Sequence, residues 1–106
     1  MAEQLIQEAD QGAVIRLAVG DTLAVELAEA PTSGARWRIH AKPGGFRLVA
    51  DRFEASSATP GSGGMRRLEF LAEAADEGEL DLGALAHPNG EAIPDRTLSV
   101  RVQIRS

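Results

Sequence analysis

The sequence predicts an all-β protein, a sandwich or barrel of about seven or eight short strands. Apolar residues recur with period two in one run after another, the signature of half-buried strands. Glycine, proline, asparagine and aspartate separate the runs as turn signals. No helical periodicity is sustained: the one stretch of helical composition, LAEAADEGEL over residues 71–80, is interrupted by Gly78 and reads as a strand end, a turn and the next strand. With 106 residues the chain reads as one domain, residues 1–106, long enough to bury a core without disulfides.

The elements follow in order. In VIRLAV, Ile15, Leu17 and Val19 share a face, and Gly20-Asp21 then marks a short turn. In TLAVELAE, Leu23, Val25 and Leu27 point one way while Thr22, Ala24, Glu26 and Ala28 point the other. In RWRIHAK, Trp37, Ile39 and Ala41 alternate with Arg36, Arg38, His40 and Lys42, giving one apolar and one basic face. Phe46, Leu48 and Ala50 alternate with Arg47, Val49 and Asp51. Leu68 and Phe70 continue through Ala72, and Leu80 and Leu82 follow Gly78. Near the end, Leu98, Val100, Val102 and Ile104 alternate with Ser99, Arg101, Gln103 and Arg105. Three segments stand out as non-strand: residues 30–36, the small-residue loop 55–64 and the polar loop 86–96. In a sandwich, alternate connections collect at one end, a common way to build a binding edge.

Composition narrows the function. The net charge of −5 and a pI of about 4.9 argue against nucleic acid or an anionic membrane as partner. No apolar run approaches the ~20 residues of a membrane span. The N-terminal MAEQLIQEADQG lacks the apolar core of a signal peptide, as expected of a cytoplasmic protein or of the mature form of an exported one. With no cysteine, there is no thiolate nucleophile and no thiolate metal site.

Nothing points to an enzyme. His40 lies on the solvent side of an alternating strand, and His87 opens the turn sequence HPNG. No serine lies in a G-x-S-x-G elbow, no histidine pair has metal-ligand spacing, and Glu73, Asp76, Glu77, Glu79 and Asp81 read as a solvated acidic turn. Neither a catalytic constellation, a metal site nor a cofactor is expected. Surface shape remains. In APTSG, Pro31 fixes φ and stiffens the loop, Thr32 and Ser33 are small and polar, and Gly34 turns the chain back. A stiff loop loses little entropy on binding. In Gly61-Ser62-Gly63-Gly64, missing Cβ atoms let a partner approach the backbone.

The order of these features resembles a family. VGDTLAVELAEAPTSGARW is similar to the opening block of the chagasin-type inhibitors of cysteine proteases, inhibitor family I42. The match runs through Val19, Gly20, Asp21, Leu27, Pro31, Thr32, Ser33, Gly34 and Trp37, and the family's G-x-G-G loop matches Gly61 to Gly64. Phe70 and Gly78 fall where the family has a phenylalanine and a glycine, so the resemblance covers roughly residues 13–105. It implies an immunoglobulin-like β-sandwich and reversible, competitive inhibition of papain-like proteases, with loops 30–36, 59–64 and 86–95 in the active-site cleft. The protease-binding residues it implies are Pro31, Thr32, Ser33 and Gly34; Gly61, Ser62, Gly63 and Gly64; and His87, Pro88 and Asn89. Thr32 would sit nearest the catalytic thiol. The chain departs from the family at Ala30, where asparagine is usual, at Ala35, where an aromatic is usual, and in the third loop, where His87-Pro88-Asn89 stands for Arg-Pro-Trp. A monomer is expected. The alternative is a non-inhibitory β-sandwich protein-interaction module that has lost the third-loop anchors and binds elsewhere, for example through the basic stripe of Arg36, Arg38, His40 and Lys42.

Overall fold

The computed structural model describes residues 2–29, 35–55, 63–86 and 92–106, with backbone alone at 35, 36, 55, 85, 86 and 92–96. Its described residues form eight strands: β1 (Glu3–Gln7), β2 (Val14–Ala18), β3 (Thr22–Glu29), β4 (Ala35–Ala41), β5 (Phe46–Ala55), β6 (Gly64–Ala72), β7 (Asp76–Ala86) and β8 (Ala92–Arg105). They make two four-stranded sheets, ordered β1-β3-β6-β5 and β2-β8-β7-β4. This is the expected β-sandwich. Among the described residues no helix is long and apolar enough to cross a membrane.

Period-two alternation decides what lies between the sheets. From the first sheet Leu23, Val25, Leu27, Leu68, Phe70 and Phe46 face inward, and from the second Leu80, Leu82, Leu98, Val100, Val102, Ile15 and Leu17; all are buried. Phe46 stacks on Phe70 with ring centroids 5.4 Å apart. Trp37, 5% exposed, closes the core toward the β3–β4 connection. The stretch 71–80 divides as expected into the end of β6, a bend and the start of β7.

Four readings of the sequence need correction. β1 has no counterpart among the strands the sequence predicts: only Ile6 of its five residues is buried, so no alternation marks it, and parallel pairing with β3 defines it. In β5 the register slips between Leu48 and Ala50. This bulge inserts one residue and reverses the facing of all that follow. Ala50 therefore pairs with Glu69 on the outer face, and Asp51 pairs with the inward-facing Leu68. A second slip between Ile39 and Ala41 sends Ala41, expected beside Trp37, to an exposed position opposite Asp81. Finally, the three loops are shorter than expected. Ala35 and Arg36 belong to β4, Ala55 to β5, Gly64 to β6, Ala86 to β7 and residues 92–96 to β8.

Candidate functional site

Strand register brings the three connections to one end of the sandwich. Glu29, the last residue of β3, pairs with Gly64, the first of β6. Gly64 also pairs with Ala55, the last of β5. In the second sheet Ala35, the first residue of β4, pairs with Ala86, the last of β7, and Leu85 pairs with Ala92, the first of β8. The two sheets are tied at this end by Trp37. Its indole Nε1 donates to the Ala28 carbonyl at 2.8 Å, and its backbone N–H donates to Glu29 Oε2 at 3.0 Å. The β3–β4, β5–β6 and β7–β8 connections thus leave the same end.

Of the residues expected to bind a protease, Pro31, Thr32, Ser33, Gly34, Gly61, Ser62, His87, Pro88 and Asn89 lie outside the described residues. Gly63 and Gly64 are described. Gly63 has φ +79°, a left-handed conformation that glycine adopts at little steric cost. The glycine is thus demanded by the backbone as it enters β6. Gly64 is held between strands on both sides.

Sequence reasoning missed Glu29 and Arg66. The inward alternation Leu23-Val25-Leu27 runs on to Glu29, which is 4% exposed. The inward alternation Ala72-Phe70-Leu68 runs back to Arg66, paired directly with Leu27. Two apolar rows therefore end in opposite charges at the edge where the connections leave. The Arg66 guanidinium grips the Glu29 carboxylate with both prongs: Nη2 to Oε1 at 2.7 Å and Nε to Oε2 at 3.3 Å. Its third nitrogen, Nη1, donates to Asp51 Oδ1 at 2.8 Å, and the group lies 5.7 Å from the Phe53 ring centroid. The Glu29 carboxylate above all, and then Asp51, raises the Arg66 pKa above its ordinary value, opposed by burial. Continuing each alternation one step would have found this pair.

The outer face of the first sheet carries a separate network. Arg67 bridges Glu3, Glu26 and Glu69, and Arg52 also reaches Glu69. On the second sheet Arg38 and His40 are exposed, as is Lys42 just beyond β4, and the His40 ring covers Gly83. Among the described residues no cluster of histidine and carboxylate side chains could hold a metal ion.

The comparison that settles the family is with sequence profiles. That of the chagasin family peptidase inhibitors, I42, matches residues 16–102. The chain belongs to this family. A chagasin-family protein is a peptidase inhibitor, not an enzyme, and the membership favours inhibition over the non-inhibitory module. No curated protein sequence matches the chain significantly. Solved structures share its fold. The cysteine protease inhibitor EhICP2 from Entamoeba histolytica superposes with a TM-score of 0.84 at 21% identity, covering 98% of this chain and 96% of that one. Amebosin gives 0.77 at 23% identity, over 95% and 96% of the two chains. PbICP-C, solved in complex with falcipain-2, gives 0.64 at 10% identity, over 99% and 100%. At these identities the likeness is one of chagasin-type architecture.

Proposed function

We propose that the protein is a reversible, competitive inhibitor of papain-like cysteine proteases. The observation that carries this reading is the convergence of three strand junctions at one end of a chagasin-family sandwich. A papain-type active site is a long cleft with a thiolate and an imidazole at its centre. A wedge of three neighbouring loops fills such a cleft without offering a peptide bond to the thiol, so the inhibitor is not consumed. Pro31, Thr32, Ser33 and Gly34 form the central part of the wedge, with Thr32 over the thiol. Gly61 to Gly64 lie along the cleft through backbone groups, and His87, Pro88 and Asn89 flank it on the other side. The anchoring strands are fixed before binding, so little ordering entropy opposes the complex.

The test is a panel of papain-type proteases with a fluorogenic peptide substrate. The reading predicts inhibition that raises the apparent KM and leaves kcat unchanged. Full activity of every protease at tens of micromolar inhibitor would refute it. Within the reading, Thr32→Arg abolishes inhibition without changing the unfolding midpoint, because the substituted residue belongs to a connection and not to the core.

A further inference from the structure

The inner face of a β-sandwich ordinarily ends in apolar side chains. Here it ends in an ion pair, at the edge where the connections leave. Glu29 is the last residue before the β3–β4 connection. Arg66 is the third residue of β6, two residues after the strand begins at Gly64. Glu29 is buried and Arg66 partly so, and an ion pair with a buried member is an inefficient way to stabilise a fold, because desolvation offsets much of the attraction. What a two-pronged guanidinium–carboxylate contact supplies well is fixed geometry. One carboxylate here receives Arg66 from its own sheet and the Trp37 backbone N–H from the other sheet. It therefore joins the end of β3, the start of β6 and the start of β4 through a single group.

We propose that Glu29 and Arg66 are positioning residues of the inhibitory edge: their ion pair locks the strand ends that carry the first and second loops, so that both meet the protease in one arrangement. The inference rests on the proposed inhibitory function. Asp51 and the Phe53 ring hold the guanidinium from the side of β5 and orient its fork toward Glu29. If the lock is lost, the strands remain paired through their ladders, but the loops must be ordered on binding, and affinity falls by that entropy.

The decisive variant is the double substitution Glu29→Gln/Arg66→Met, which removes the pair without leaving a buried charge unpaired. The control is Arg67→Met, which breaks the neighbouring ion network on the outer face of the same strand. Inhibition constants against papain and unfolding midpoints are measured for both. The expected result is a Ki raised at least tenfold in the double variant, with a midpoint within a few degrees of wild type, and a Ki within threefold for Arg67→Met. Arg66→Lys keeps the charge, loses the fork and gives an intermediate Ki, and it serves as the test if the double variant does not fold. A wild-type Ki in the folded double variant or, if that variant does not fold, in Arg66→Lys overturns the proposal. So does an equal rise in Arg67→Met. If the wild-type chain inhibits no protease, the inhibitory reading fails by itself, and amide exchange at Trp37 then judges the lock: exchange at least tenfold faster in Arg66→Lys supports it, and unchanged exchange refutes it.

Discussion

Gly63 ties sequence and backbone to the proposed function. At φ +79° an L side chain crowds its own carbonyl, so Gly63→Ala should cost about 1 kcal/mol of stability. A denaturant midpoint measures this. The strain falls where the chain enters β6, so inhibition should weaken as well. Gly45, at the opposite end, is required for a different reason. A Cβ there would collide with the Ala74 carbonyl and press on Asp76. Backbone cannot move aside as a side-chain tip can, so Gly45→Ala should lose about 1–3 kcal/mol and leave Ki unchanged. The two glycines thus separate a stability effect with a functional consequence from one without. The third connection offers a gain rather than a loss. On the proposed reading His87-Pro88-Asn89 stands where the family resemblance implies an arginine and a tryptophan, and these residue types dominate binding hot spots. Asn89→Trp should tighten inhibition by about thirtyfold if it restores ~2 kcal/mol of anchoring. Titration against a fixed protease concentration reads this directly.

At the level of elements, the end opposite the loops is held by carboxylates that accept backbone N–H groups. Asp76 Oδ2 accepts from Gly45 at 2.9 Å and Oδ1 from Glu77 at 2.8 Å, joining the β4–β5 turn to the start of β7. Asp21 accepts from Ala18 and from Ala2, both at 2.9 Å. These bonds lower the pKa of both groups from 3.8: Asp76 chiefly through Gly45, Asp21 chiefly through Ala18. A carboxylate with a depressed folded-state pKa stabilises the fold fully above its unfolded value and loses that contribution as the pH falls through the folded one. Thermal unfolding midpoints should therefore fall with pH below about 4, and Asp76→Asn should lower the midpoint at neutral pH and flatten that slope. The same elements show what was legible in advance. Strands with one buried face, such as β3 and β8, announce themselves by alternation. β1 does not, because an edge strand with a single buried residue has no pattern to read. The bulges at β4 and β5 are hidden for a related reason: one extra residue reverses facing without altering local composition, so alternation alone places Ala41 and Ala50 on the wrong face. Glu29 and Arg66 lie one step beyond the last apolar residue of their rows, where apolar alternation gives no further signal.

Chain direction gives the whole molecule a front and a back. β3 runs toward the loop end, and β1, parallel to it, starts beside Thr22 at the far end. Ala2 is pinned there, accepting from the Thr22 N–H and donating to Asp21. β8 starts at Ala92 on the loop end and finishes with the Arg105 carbonyl bonded to the Val19 N–H, beside the Gly20 turn at the back. Ala2 and Ser106 therefore lie on the end opposite the three connections. An inhibitor that works by inserting its front edge is indifferent to bulk at its back, whereas a module that binds through the opposite end or the Gly20 turn is not. A fluorescent protein fused ahead of Ala2 or after Ser106 through a short flexible linker should leave Ki within about threefold of the unfused chain. Its size, comparable to or larger than the sandwich itself, would block any cleft that approached from the back. Loss of inhibition in both fusions, with the unfolding midpoint preserved, would place the protease contact at the wrong end for the three-loop wedge. Retention in both, together with loss on Thr32→Arg, assigns binding to the front edge by two independent routes.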